Sequence, residues 1–280
     1  MNEIPATAAT VPQLDARYFV PALVRGLALL ECFGAGREEL SLVELARGVG
    51  MTRSAAYRLV YTLAELGFLA RDPERKSYRL GPRVLSLGFT YLASQELGEI
   101  ARPHLEALRD RTDCSAHLAV LDGTEIVYIA RYADKKALTS RIHIGTRFPA
   151  HATSMGRAVL SHLPAEELRR RFNGRALARF TAATPTTLKA LLAVLEADRA
   201  RGYVVSRSSF EAGIASVAAP VFDADGAPVA AINISTPDAT VQGNALETAI
   251  KDQVVHAAKT ISEWLGHRRA PAVARRRSGS

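Results

Sequence analysis

The sequence predicts an α+β chain in two parts: a small helical unit with one hairpin, then a larger unit of hairpins and helices. Three observations lead there. Residues 41–80, SLVELARGVGMTRSAAYRLVYTLAELGFLARDPERKSYRL, hold two short helical patterns, a glycine turn and a basic hairpin. Two Asp-Gly turns, Asp122-Gly123 and Asp225-Gly226, each join two apolar runs, the mark of strand–turn–strand. Helical patterns over 154–163, 187–201 and about 244–265 are interleaved with these hairpins. At 280 residues and 48% apolar, the chain can fill two cores.

The first unit follows from its local signals. Ser41 and Glu44 form S-x-x-E, a capping box, and Leu42, Leu45, Ala46 and Val49 put one apolar face on the helix that follows. Gly48 and Gly50 end that helix, and Thr52 caps the next. The second helix packs through Ala55, Leu59, Leu63 and Leu66 and stops at Gly67, and an upstream stripe of Leu23, Leu27 and Leu30 follows Pro21. Arg53, Ser54, Tyr57, Arg58 and Tyr61 are left on the outer face of the second helix. Donors, positive charge and hydroxyls near a helix N-terminus suit a major groove. In the hairpin Pro73 favours a turn, and Tyr78 and Leu80 are expected to pack while Arg79 points away. Its tip, with Arg71, Arg75 and Lys76, forms a wing that suits phosphates. The expected fold is a winged helix-turn-helix whose DNA-facing residues are Thr52, Arg53, Ser54, Tyr57, Arg58, Arg71, Arg75 and Lys76. The competing reading is a plain helical bundle with a solvated charged face.

Net charge supports this only locally. The total is +8, of which Arg268, Arg269, Arg275, Arg276 and Arg277 supply +5. Residues 1–81 hold ten basic and nine acidic side chains. No run of about 18 apolar residues exists, and the first residues lack the pattern of a signal peptide. Cys32 and Cys114 form no C-x-x-C pair, so a reducing, cytoplasmic setting with both thiols buried is expected.

The chain resembles the IclR family of bacterial transcription regulators over about residues 19–266. The resemblance rests on FVPALVRGLALLECF, the winged segment above, HATSMGRAVLSHLP, RGYVVSRSSFEAGIASVAAPVFD and GAPVAAINIS. FVPAL, SLGFTYLAS and HATSMGR look most like the branch that controls aromatic-acid catabolism through the β-ketoadipate pathway. The resemblance implies a linker helix that helps dimerisation and a GAF-like effector domain with an antiparallel sheet. The implied division is a disordered arm at 1–17, the winged unit at 18–81, the linker at 82–97, the effector domain at 98–267 and a basic disordered tail at 268–280. Along the linker, Val84, Leu85, Phe89 and Leu92 follow helical spacing, with Gly88 and Ala93 between them.

Residue by residue, the family's effector positions fall on Ser154, Met155, Ser206, Ser216, Asn233 and Ser235. Ser206 departs from the pattern, since an acid is common there. Small polar residues before a helix, as in HATSMG, suit an anion, although capping by Thr153 or Ser154 is compatible with that and is the simpler reading of the residues alone. Arg207 is a candidate partner for a carboxylate, or a solvated surface arginine. The implied partners are double-stranded operator DNA, a small carboxylate (an aromatic acid or its ring-cleavage product), and further copies of the chain as a homodimer or dimer of dimers.

Catalysis is not expected. G-x-S-x-G, P-loop, G-x-G-x-x-G and H-E-x-x-H motifs are all missing from the sequence, and no cofactor or metal is implied. Cys114 and His117 lie three apart on an expected strand, a poor spacing for one ion, and His143 and His151 are expected in ordinary roles. The alternatives are a small-molecule-binding or catalytic protein with a vestigial helix-turn-helix, and an architectural DNA-binding protein without a ligand.

Overall fold

A computed structural model describes residues 20–34, 36–93, 96–134 and 142–267. The expected arm at 1–17 and basic tail at 268–280 lie outside the described residues, as do the linker side chains of Gly88, Phe89, Leu92 and Ala93. The chain divides into two compact units, one reaching to residue 94 and the other starting at 95.

The first unit holds α1 (Pro21–Glu31), β1 (Leu40–Ser41), α2 (Leu42–Gly48), α3 (Arg53–Glu65), β2 (Leu69–Asp72), β3 (Ser77–Leu80) and α4 (Pro82–Ala93). The capping box forms: Ser41 Oγ accepts from the Glu44 N–H, and Glu44 accepts from the Ser41 N–H at 2.8 Å. Thr52 Oγ1 accepts from the Ala55 N–H at 3.3 Å and starts α3. Such caps hold helices too short to persist alone. The core consists of Leu29, Leu40, Leu45, Val60, Leu69 and Tyr78.

That core corrects several expectations. On α3 the buried positions are Ala56 and Val60; Leu59 and Leu63 flank them, and Leu66 is exposed. On α1 only Leu29 is fully buried, whereas Leu23 and Leu27 are 62% and 54% exposed. Leu80 is also exposed, because β3 buries Ser77 and Tyr78 instead. β3 pairs with β2 and, unexpectedly, with β1, giving three strands in the order β1-β3-β2. Gly81 closes the wing where no side chain fits, since a Cβ there would lie 2.2 Å from the Gly67 carbonyl oxygen. Of the linker expected over 82–97, α4 is described to Ala93, and Leu85 and Leu87 on it are exposed.

The second unit begins with α5 (Glu96–Thr112), with Pro103 inside it. Then come β4 (Ser115–Asp122), β5 (Glu125–Tyr132), β6 (Arg147–Pro149), α6 (Ser154–Leu160), α7 (Ala165–Phe172), α8 (Leu188–Arg201), β7 (Val204–Arg207), β8 (Ile214–Phe222), β9 (Pro228–Pro237) and α9 (Ala249–Trp264). The strands form one antiparallel six-stranded sheet in the order β6-β5-β4-β9-β8-β7. Both expected hairpins are present, β4–β5 and β8–β9. β8 is buried at every position from Ala215 to Val221, as a strand covered on both faces must be. α6 and α8 pack over the face that carries Ala119, Tyr128, Ala218 and Ala231. α5 and α9 pack on each other and on the sheet, and Ser262 Oγ of α9 accepts from the Phe222 N–H at 3.0 Å.

α9 starts at Ala249 rather than near 244, and Trp264 at its end is 70% exposed. α6 is buried at all seven positions. Gly156 lets it approach Ala150, where a Cβ would meet the carbonyl oxygen at 2.2 Å. At the next residue, Arg157 donates twice to Asp198 of α8, at 2.8 and 2.9 Å. Cys114 is buried and Cys32 half-buried, both as free thiols. No described helix is long and apolar enough to cross a membrane.

Candidate functional site

In the first unit, α3 and the wing enclose a concave surface of about 770 Å³. Arg53, Ser54 and Tyr57 line it from α3, and Arg71, Pro73 and Lys76 line it from the wing. Leu42 and Tyr78 complete the lining. Five residues selected from the sequence therefore meet here. Arg58 is exposed on α3 but outside this lining, and Thr52 is engaged as the cap. Tyr57 and Tyr61 stay exposed, with ring centroids 6.2 Å apart.

The wing is held by acids. Asp72 accepts the backbone N–H groups of Glu74 and Arg75, both at 3.0 Å, which tightens the turn and keeps its carboxyl below the usual range. Arg75 is drawn to Glu39 at 3.0 Å. Glu39 also accepts from the Ser77 hydroxyl, and this bond, followed by Arg75, lowers its pKa. Lys76 takes a left-handed φ of 53° at the end of the turn.

In the second unit a small cavity of about 70 Å³ lies between the sheet and α6. Ser154, Ser206, Ser216, Asn233 and Ser235 all line it. Register explains the grouping: Ser206 pairs with Ser216, Ser216 with Ser235, and alternate residues share a face. Ser216 Oγ donates to Ser154 Oγ at 2.9 Å, tying β8 to the start of α6. Thr153 caps α6 by accepting from the Gly156 N–H. Met155 is 1% exposed and belongs to the core cluster, not to the cavity lining. Arg207 faces away, paired with Asp238 and Glu247.

Sequence reasoning missed the aromatic wall. Tyr128, Phe148 and Phe210 line the cavity. Tyr128 meets Phe148 edge-on at 5.6 Å, Phe148 meets Phe210 at 4.6 Å, and Phe210 meets Phe180 at 4.8 Å. These rings come from separate segments, and no local spacing announces them. Burial, then the Glu211 charge, pushes the Tyr128 phenol well above its ordinary value, so it stays protonated. His117, also missed, is 1% exposed; its ring meets Tyr128 edge-on at 5.5 Å, and its Nδ1 lies 2.9 Å from Asn233 Oδ1. Burial lowers its pKa to about 4, with the Arg131 charge adding to this against the Asn233 hydrogen bond. Among the described residues no group of three or more His, Cys, Asp or Glu is placed to hold a metal.

Comparison with known proteins matches both units. Residues 22–73 match the IclR helix-turn-helix domain, and residues 89–263 match the C-terminal domain of bacterial transcriptional regulator IclR. The chain is 33% identical over 248 residues to the Pca regulon regulatory protein of Pseudomonas putida, covering 88% of this chain and 84% of that protein. It is 35% identical over 229 residues to the p-hydroxybenzoate hydroxylase transcriptional activator of Acinetobacter baylyi, covering 80% and 84%. The crystal structure of Thermotoga maritima IclR superposes with a TM-score of 0.71 at 29% identity, covering 88% of this chain and 98% of that one. An IclR homologue of Microbacterium hydrocarbonoxydans complexed with 4-hydroxybenzoate gives 0.76 at 26% identity, covering 87% and 98%. A winged unit and a sheet unit, matched in order along nearly the whole described chain, establish that this protein belongs to the IclR family of bacterial transcriptional regulators, which are ligand-responsive and bind DNA.

Proposed function

We propose that the first unit reads a (pseudo)palindromic operator within a homodimer or dimer of dimers, and that the cavity of the second takes a small aromatic carboxylate. α3 enters the major groove, with Arg53, Ser54, Tyr57 and Arg58 at base edges or nearby phosphates and Thr52 fixing its start. Arg71, Arg75 and Lys76 hold the backbone beside it. Uncovered Leu23 and Leu27 on α1, and Leu85 and Leu87 on α4, support association of chains through this unit. The protein acts by binding rather than turnover, in the cytoplasm.

The observation that carries the effector reading is the row of rings beside clustered polar groups. Tyr128, Phe148 and Phe210 suit the faces and edges of an aromatic ligand. Ser154, Ser206, Ser216, Ser235 and Asn233 supply its polar contacts, and Met155, next to Ser154 in the core, supports them. The relatives named for the Pca regulon and for p-hydroxybenzoate hydroxylase, and the neighbour holding 4-hydroxybenzoate, support the same class. A cavity of about 70 Å³ is far below the several hundred typical of ligand pockets, so its walls part on entry. That opening gives the ligand a preference for one arrangement of the protein, which control of DNA affinity requires.

The test is thermal melting against aromatic acids and short keto- and dicarboxylates, with operator affinity measured alongside on DNA selected from a random pool. A ligand at a hundred times its Kd adds about 2.7 kcal/mol to the form that binds it, a shift of several degrees. A selective shift by aromatic acids that also changes operator affinity supports the reading. A flat panel removes the aromatic-acid claim.

A further inference from the structure

We propose that His117 selects hydroxylated aromatic acids, its Nε2 accepting a hydrogen bond from a ring hydroxyl of the effector. The inference rests on the reading of the cavity as the effector site and adds which functional group is read there. His117 is not itself in the cavity lining; it lies on β4, paired across the ladder with Asn233, and its ring contacts Asn233 and Tyr128, both of which line the cavity. Its two nitrogens are unequal. Nδ1 faces the Asn233 carbonyl oxygen, an acceptor, so Nδ1 carries the hydrogen and donates. Nε2 is then a bare lone pair. It is buried and has no hydrogen-bond partner among the described residues. Buried acceptors without partners are rare in folded proteins and costly to maintain.

The neighbours say which ligand group satisfies it. Arg131 is the partner of His117 across the β4–β5 ladder, so the two side chains share a face, and its Nε–H is also buried without a partner among the described residues. An unmatched acceptor and an unmatched donor lie on adjacent strands. A hydroxyl can both donate and accept. A carboxylate only accepts, and would set its charge against the imidazole lone pair. The alternative that the imidazole protonates to greet a carboxylate runs against its burial and the adjacent guanidinium, which hold it neutral down to about pH 4. The polar groups at Ser154 and Ser216, on α6 and β8, are left for the carboxylate.

The experiment is calorimetric titration of the full chain with 4-hydroxybenzoate, 4-methoxybenzoate and benzoate, for wild type, His117→Phe and His117→Gln. Wild type is expected to favour 4-hydroxybenzoate over the other two by roughly ten-fold or more, because only it donates to the buried acceptor. His117→Phe should bring that ratio close to one, and His117→Gln, which keeps an acceptor, should restore part of it. Wild type that binds all three acids equally, or His117→Phe that keeps the wild-type ratio, overturns this inference and leaves the aromatic-effector reading in place. Binding of none of the three overturns that reading and this one together. Should His117→Phe fail to fold, wild type decides alone: titration at pH 6 in buffers of different ionisation enthalpy should show no proton taken up with 4-hydroxybenzoate. Uptake approaching one proton per site means that His117 meets the carboxylate, and the inference fails.

Discussion

Arg75 at the tip of the wing lies 3.0 Å from Glu39, a residue from the segment leading into β1. The wing's basic charge is therefore partly answered from within the protein. For Arg75 to hold a phosphate it must leave Glu39 or share it. Glu39→Gln should tighten DNA binding several-fold, for specific and random sequences alike, while Arg75→Ala should weaken both and flatten the dependence of log K on log salt by about one unit. Fluorescence anisotropy across a salt series measures both. A purely sequence-selective loss in Arg75→Ala contradicts a backbone role.

Arg53 lies inside the concave surface between α3 and the wing, and Arg58 outside its lining. Each substitution to alanine should cost about 1–3 kcal/mol of operator affinity, with ligand binding and melting temperature retained. Unchanged operator affinity in both variants dismisses α3 as the recognition helix.

Asp198 is buried and accepts Arg157 through both oxygens, with Arg201 as a further partner. Asp198→Ala leaves Arg157 as an unanswered buried charge, and a loss of about 3–5 kcal/mol is expected. A urea unfolding midpoint reads this directly. Gly156→Ala should be comparably disruptive, since its Cβ would collide with backbone rather than with a flexible side chain.

His117 also sets a pH dependence. Its folded pKa of about 4 lies below the ordinary value of 6.5. Between these values the unfolded chain holds the proton and the folded chain does not, so stability rises as pH goes from 4 to 6.5 and is flat above. The span is about 3 kcal/mol. Burial lowers His151 and His162 in the same direction. Urea midpoints from pH 4.5 to 7.5 should show a slope that His117→Phe reduces.

What the sequence revealed follows how local each signal is. The capping box joins residues three apart, and Thr52 caps a helix that starts at the next residue, so both are legible in a short window. The apolar period on α1 marks a greasy side but not what covers it, and Leu23 and Leu27 on that side are exposed. On α3 the stripe was placed one residue away from Ala56 and Val60, an error that a 3.6-residue period invites. The serines and Asn233 came from resemblance and are united by register. His117, Tyr128, Phe148 and Phe210 stand on different elements with no shared motif, and only the folded sheet brings them together.

Trp264 is the chain's single tryptophan, and it stands mostly in solvent at the end of α9. Its emission in the isolated chain is already that of a hydrated indole, so denaturation shifts its colour little. Events at the ring-lined cavity reach it only through the body of the fold. Whatever covers that helix end moves the emission to the blue. The protein thus carries an optical gauge of contact at one surface point, spectrally separate from its tyrosines.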